Sequence, residues 1–257
     1  MATYLDMILA SHRSAAAADN RSIDDLVAHA IALPPARPFT AALAVDGISV
    51  IAEVKRRSPS KGELRADLVP SMLAKAYAAG GAACLSVLTD DQFFGGAAAD
   101  LVEARAATDL PVLRKDFTVS DADVCDARIM GADAVLLIAA ALSDDELRRF
   151  SSLAREVGIE CLVEVHDEAE LERALGVGAD LIGVNQRDLT TFEVDTDRAV
   201  RVGVAVPDGV SKVAESGVST PQQARRLAEA GFDAILVGEA LVTADDPAAA
   251  LEALRCS

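Results

Sequence analysis

Positive charge is scarce in this chain. Lys and Arg number 24 against 41 Asp and Glu, which leaves a net charge of -17 and an isoelectric point near 4.5. So acidic a molecule repels nucleic acid and anionic membranes at long range, and neither is an expected partner. An anionic small molecule stays admissible where cations are focused locally. Cysteine is also sparse: Cys84, Cys125, Cys161 and Cys256 show no C-x-x-C spacing. Their scatter suits reduced thiols in the cytosol and argues against a disulfide framework or a structural zinc. No three histidines or acids fall at metal-ligand spacing, so a metal is not expected. No apolar run reaches membrane-spanning length without charge. The N-terminus, MATYLDMILASHRS, lacks a basic start before an unbroken apolar core, so no secretory signal is expected and the expected location is the cytoplasm.

What is present is apolar material and a repeat. Hydrophobic residues make up 51% of 257 positions, enough for a sizeable core. Residues 1–46 read as a helical extension. Thr3 to Ala18 has helical spacing, and Ser22 suits an N-cap before a second helix ending at Leu33-Pro34-Pro35. From Ile48 onward, strands are expected at 48–54, 82–88, 111–115, 133–138, 160–165, 180–185, 211–214 and 233–237. Helices are expected between them, near 70–80, 98–107, 121–130, 143–157, 167–176, 195–202 and 219–230, with a last one at 247–255. A Gly-led phrase marks every second helix-to-strand joint, at Gly81, Gly131, Gly178 and Gly231, with intervals of 50, 47 and 53 residues. A glycine there suits a left-handed helix end, and each interval holds two βα units. Eight such units in one domain, 1–257, predict an α/β fold: a closed TIM-type (β/α)8 barrel over 47–257 behind the helical extension. An open doubly wound sheet is the alternative, but no GxGxxG follows the first strand.

In such barrels the chemistry gathers at the C-terminal strand ends. In ISVIAEVKRRSPSKG, alternation puts Val50, Ala52 and Val54 on one face and Ile51, Glu53 and Lys55 on the other. Further strand ends carry Lys115 and Phe117, Glu164, Asn185 and Arg187, and Glu215, each on the inward parity of its strand. Ser216-Gly217 and Gly238-Glu239 offer backbone N–H groups at the two loops where barrels often hold phosphate, with a short helix expected from Glu239 to Val242. The Glu239 carboxylate must then point away. Phe93-Phe94 either forms an aromatic wall or packs in the core. His12 and His29 read as surface or capping residues. His166 reads as a structural hydrogen-bonding residue that can also tune a neighbouring carboxylate. The excess acids on the helices read as a solvated outer surface.

Taken in order, IAEVKRRSPSKG, GGAACLSVLTD, PVLRKDF, GADAVLLIAA, CLVEVHDE, LIGVNQRDL, AESGV and VGEAL resemble indole-3-glycerol phosphate synthase across nearly the whole chain. The resemblance implies ring-closing decarboxylation and dehydration of 1-(2-carboxyphenylamino)-1-deoxyribulose 5-phosphate, with no cofactor or metal, in tryptophan biosynthesis. It implies Glu53, Lys55, Lys115, Glu164, Asn185 and Ser216 as the catalytic set, with Lys115 the acid for ring closure. The order of action of Lys55 and Glu164 is left open. It places Ser58, Pro59, Phe94, Phe117, Leu136, Arg187, Leu189, Glu215, Gly217 and Gly238 around the substrate. Family members often carry Asn where this chain has Gln186. Its parity points Gln186 at the helix layer, where little consequence is expected. A monomer without a stable protein partner is expected, and residues 56–69 are the expected lid. Two other readings stay open: a phosphoribosyl isomerase-type barrel, which calls for strand-end aspartates rather than Lys and Glu, and a non-catalytic phosphate-ligand barrel.

Overall fold

The structure is a computed structural model, and it describes residues 3–59, 61–188 and 193–255. The expectations for Leu189 and Cys256 lie outside these residues. Two helices, α1 (Tyr4–Ala18) and α2 (Ile23–Ile31), open the chain. Thr3 and Asp6 close a capping box on α1, and the Ser22 hydroxyl accepts the Asp25 amide at the start of α2.

A third helix, α3 (Phe39–Leu43), was not expected from the sequence. Five residues are too few for a 3.6-residue period to show. Its free amides are satisfied from far away: Glu160 accepts the Phe39 amide at 2.7 Å and the Thr40 amide at 2.9 Å. Phe39 and Leu43 are thereby pressed into the barrel interior, where they pack with Ile51, Leu113, Leu162 and Val213.

The apolar runs form eight parallel strands: β1 (Ser49–Val54), β2 (Cys84–Leu88), β3 (Val112–Lys115), β4 (Ala134–Ile138), β5 (Glu160–Val165), β6 (Leu181–Asn185), β7 (Ser211–Glu215) and β8 (Ala234–Val237). Each pairs with the next, and β8 returns to β1 with Ser49 opposite Ala234 and Ala52 opposite Val237. The sheet is therefore a closed barrel, which removes the open-sheet alternative. Alternation sorts the side chains as expected. Val50, Ala52 and Val54 face the helices, while Ile51, Leu113, Leu136 and Leu236 fill the interior.

The helices between the strands are α4 (Pro70–Ala79), α5 (Ala98–Ala106), α6 (Asp121–Ile129), α7 (Asp144–Val157), α8 (Glu168–Gly176), α9 (Arg198–Gly203) and α10 (Pro221–Glu229), followed by α11 (Glu239–Val242) and α12 (Pro247–Leu254). The expected helix at 195–202 begins only at Arg198. The Asp195 carboxylate accepts the Asp197 amide at 3.0 Å, an Asx turn that holds the chain out of helix for three residues. The four recurrent glycines all have left-handed φ, between 73° at Gly178 and 96° at Gly131. The loop after β1 contains a small antiparallel ribbon, Arg57–Ser58 against Gly62–Glu63, which the sequence pattern did not signal.

Candidate active site

A cavity of 620 Å³ opens at the C-terminal ends of the strands. The strand-end residues singled out in the sequence converge on it: Glu53, Lys55, Lys115, Glu164, Asn185, Arg187 and Glu215, with Ser58, Pro59, Phe94, Phe117, Leu136, Ser216, Gly217, Gly238 and Glu239 also in its wall. The structure also places Asp90 and Asp116 there, from strand ends whose acids the sequence reading passed over. The Thr89-Asp90-Asp91 run just past β2 was the available signal.

Lys115 is the centre of the charge. Its ammonium lies 3.2 Å from Glu164 Oε2 and 3.3 Å from Glu215 Oε2. Burial works against that ammonium, but Glu164, Glu215 and Glu53 together outweigh it and hold the Lys115 pKa above its ordinary value. Two buried carboxylates around one cation cannot both ionise freely. Burial and the neighbouring Glu164 push Glu215 up to about 8, against the pull of Lys115. For Glu164, burial is outweighed by Lys115, by His166, and by the Asn185 amide, which donates to Glu164 Oε1 at 3.0 Å. Its pKa therefore sits below the ordinary value. The pair thus holds a proton on the Glu215 side. His166 does both things expected of it: Nδ1 lies 3.0 Å from Glu170, while Nε2 lies 3.6 Å from Glu164 Oε1. On the opposite wall, Glu53 and Lys55 form an ion pair.

Two glycines make room for these charges. A Cβ on Gly183 would stand 2.0 Å from Glu215 Oε1, and one on Gly238 would stand 2.3 Å from Glu53 Oε1. The sequence reading passed over Gly183, because the carboxylate that needs its space belongs to the next strand.

At the far end of the cavity the chain turns sharply. Ser216, with φ of 66°, is the one non-glycine in the left-handed region among the described residues, and Gly217 follows at 78°. Such a Ser conformation costs about 1 kcal/mol or more and needs bracing. Gln186 supplies the brace: its side-chain amide donates to the Ser216 carbonyl at 2.6 Å from a buried position. The expectation that Gln186 matters little is therefore corrected. Opposite parity does aim it outward, but outward is where the β7 loop passes. Across the gap Gly238 caps α11, the short helix expected at Glu239 to Val242. The Glu239 carboxylate lies 3.7 Å from the Lys61 ammonium, and both residues stand in the cavity wall.

The two adjacent phenylalanines divide their work. Phe94 lies against Phe117 with ring centroids 6.2 Å apart on the cavity wall, while Phe93 meets Tyr4 of α1 edge-on at 5.8 Å. His12 is not a surface residue: Nε2 lies 2.9 Å from Asp90 Oδ2. His29, in the last turn of α2, is exposed as expected. Among the described residues, His12, Asp90 and Asp116 bring donor atoms within 4.8 Å of one another, a grouping assembled from three elements that no sequence spacing revealed. Its contacts are those of an ion-pair cluster. Asp90 faces the imidazole, and Asp116 is engaged by Arg114 at 2.9 Å and by the Phe117 amide at 2.8 Å.

No helix among the described residues is long and apolar enough to cross a membrane. Solved structures share the fold at low identity. A thiamine phosphate pyrophosphorylase from Pyrococcus furiosus superposes with a TM-score of 0.62 at 20% identity, over 81% of this chain and 94% of that one. An N-acetylmannosamine-6-phosphate 2-epimerase from Clostridium perfringens gives 0.61 at 16% identity, over 77% and 89%. Sequence relatives are much nearer. An indole-3-glycerol phosphate synthase from a Nocardioides species is 53% identical over 90% of this chain and 88% of its own. One from Laribacter hongkongensis is 48% identical over 98% of each. The family model for indole-3-glycerol phosphate synthase matches residues 5–254, and with relatives at this identity over nearly its full length, the chain belongs to the indole-3-glycerol phosphate synthase family.

Proposed function

We propose that the cavity carries out the family's reaction with the following division of labour. The substrate, 1-(2-carboxyphenylamino)-1-deoxyribulose 5-phosphate, is a flat aromatic acid at one end and a phosphate at the other. The phosphate sits on the backbone amides at Ser216-Gly217 and Gly238-Glu239, beside the N-terminus of α11. The ring sits on Phe94, Phe117 and Leu136. Arg187, Ser58 and Pro59 line the space between.

The observation that carries this reading is Lys115 held between Glu164 and Glu215. Ring closure attacks a ketone whose oxygen must gain a proton. The oxygen that develops is alkoxide-like and far more basic than an amine, so proton transfer from the Lys115 ammonium is downhill even with its raised pKa. Glu215, 3.3 Å away and protonated at neutral pH, is placed to return the proton. The new bond breaks aromaticity, and loss of carbon dioxide restores it. Dehydration then needs a donor to the leaving hydroxyl and a base for the proton lost as the second ring forms its double bond. Lys55 and Glu164 supply these from opposite walls, Glu53 holds Lys55, and Asn185 holds Glu164. The enzyme works without a cofactor, as a monomer in the cytoplasm.

The test is product formation followed by indole fluorescence, against a chain that contains no tryptophan of its own. Lys115→Met should lower turnover at least about 10²-fold while the protein stays folded by circular dichroism. Near-normal turnover in that variant would remove Lys115 from the ring-closing step.

A further inference from the structure

The helical extension reaches the mouth of the barrel through one titratable side chain. His12, on α1, places Nε2 2.9 Å from Asp90 Oδ2 and 3.9 Å from Asp116 Oδ1. Both aspartates are buried. Each also fixes the backbone of a ring in the cavity wall. Asp90 Oδ1 accepts the Phe93 amide at 2.6 Å and the Phe94 amide at 2.9 Å, and Asp116 Oδ1 accepts the Phe117 amide at 2.8 Å. The His12 ring itself lies on Phe117, with centroids 5.5 Å apart and planes at 44°. One imidazole therefore touches both carboxylates that hold Phe94 and Phe117, and one of the rings as well.

We propose that His12 is a positioning residue for substrate binding: as an imidazolium it holds Asp90 and Asp116 in place, and through them sets the Phe94–Phe117 wall that receives the aromatic end of the substrate. The inference rests on the assignment of that wall made above. It gives the extension a task in binding beyond covering the barrel.

The surroundings favour the cation. Facing His12 are Asp90 past β2, Asp116 at the end of β3, and Asp123 on α6. Arg114 pairs with the Asp116 carboxylate, lying 2.9 Å from its Oδ2, and donates to the backbone carbonyl of Asp123 at 2.7 Å. On α1 itself, Arg13 is turned away and pairs with Glu146 of α7, while Tyr4 lies within the influence of Asp90 and Arg57. Arg57 donates to the backbone carbonyls of Asp91 and Gln92. Burial opposes the charge on His12, but the Asp90 hydrogen bond and the three carboxylates outweigh it and hold the pKa above the ordinary histidine value. The sign follows. The contact is complete below the ordinary histidine pKa and is lost as pH rises through the elevated one.

The experiment measures KM and kcat from pH 6 to 9 for wild type, His12→Gln, His12→Lys, Arg13→Gln and Phe94→Ala. Each variant is read as a ratio to wild type, so that ionisation of the substrate phosphate cancels. His12→Gln should raise KM about fivefold at pH 6, with a smaller change in kcat, and converge on wild type by pH 9. His12→Lys, which keeps a cation at all these pH values, should hold KM low at pH 9. Arg13→Gln loosens the same helix at another point and should keep the wild-type pH profile. A His12→Gln ratio that stays constant across pH, or His12→Lys behaving like His12→Gln, would overturn the proposal. Phe94→Ala separates the two levels of the argument: it should raise KM at every pH. An unchanged KM there would remove the aromatic wall itself, and with it the basis for His12.

Discussion

Replacing Gly238 with alanine adds one methyl group where Glu53 and Lys55 already meet. The new Cβ would lie 2.3 Å from Glu53 Oε1 and 3.0 Å from both Glu53 Cδ and Lys55 Nζ. Ordinary contact begins at 3.4 Å, so the carboxylate must retreat by about 1.1 Å and take the paired ammonium with it. The backbone has no reason to object, since φ at Gly238 is −117°, outside the left-handed region. Its amide stays where it is, aimed with the start of α11 at the proposed phosphate. The perturbation is therefore directed at the Glu53–Lys55 pair and spares the anion site. A misplacement of about 1 Å in a catalytic group costs on the order of 10²-fold in rate. Gly238→Ala should thus lower kcat about 10²-fold and leave KM within about threefold. Overpacking costs about 1–3 kcal/mol of stability, so a thermal melt must first show that the variant is folded at the assay temperature. The assay is the fluorescence rise of the indole product under saturating substrate. A kcat within about threefold of wild type would refute the reasoning, as would a loss carried entirely by KM.

Other variants test other joints of the same argument. Gly183→Ala crowds Glu215 in the same way, with a Cβ 2.0 Å from its Oε1, and should depress kcat while costing about 1–3 kcal/mol in urea denaturation; a silent variant would show that Glu215 has room to spare. Glu215 titrates near 8 in the fold against an ordinary 4.5, so its contribution to stability is complete below about 4.5 and is lost as pH rises through 8. Glu215→Gln should therefore show a shallower fall in melting temperature between pH 5 and 9 than wild type, and parallel curves would contradict the raised pKa. Asp133 is fully buried and accepts the Arg37 and Val112 amides at 2.8 and 2.9 Å and the Arg105 guanidinium at 2.8 Å. Asp133→Ala should destabilise by about 3 kcal/mol or more in urea denaturation. A loss below about 1 kcal/mol would mean that water replaces the carboxylate.

Much of this molecule is legible in its sequence because strands alternate. Parity alone separates Glu53 and Lys55 from Val50, Ala52 and Val54, and the same count brings Lys115, Glu164, Asn185 and Glu215 to one mouth. The left-handed glycines at 81, 131, 178 and 231 mark the joints, because only the backbone conformation is at issue there. What escaped the sequence depends on contacts across the fold. Helix α3 is capped by Glu160, 121 residues away from Phe39. His12 finds Asp90, 78 residues away. Gln186 was given the right face, but the β7 loop behind that face is set by tertiary packing. The space at Gly183 is claimed by a side chain of the neighbouring strand, which no local pattern can report.

Barrel closure also has a consequence for how the chain is made. Ser49 of β1 pairs in register with Ala234 of β8, its amide donating to the Asp233 carbonyl, so the first strand to leave the ribosome waits for the last one. The interval is 185 residues, from 49 to 234, and at about 5–20 residues per second it lasts roughly 10–40 s. The segment before β1 waits as well, since its anchors at Asp90, Asp133, Glu146 and Glu160 appear only partway through synthesis. Throughout that time the nascent chain carries an unpaired β1 edge. The acidity of the chain as a whole, a net charge of -17, sets neighbouring nascent chains against one another during the period when chain-to-chain sticking is the main hazard.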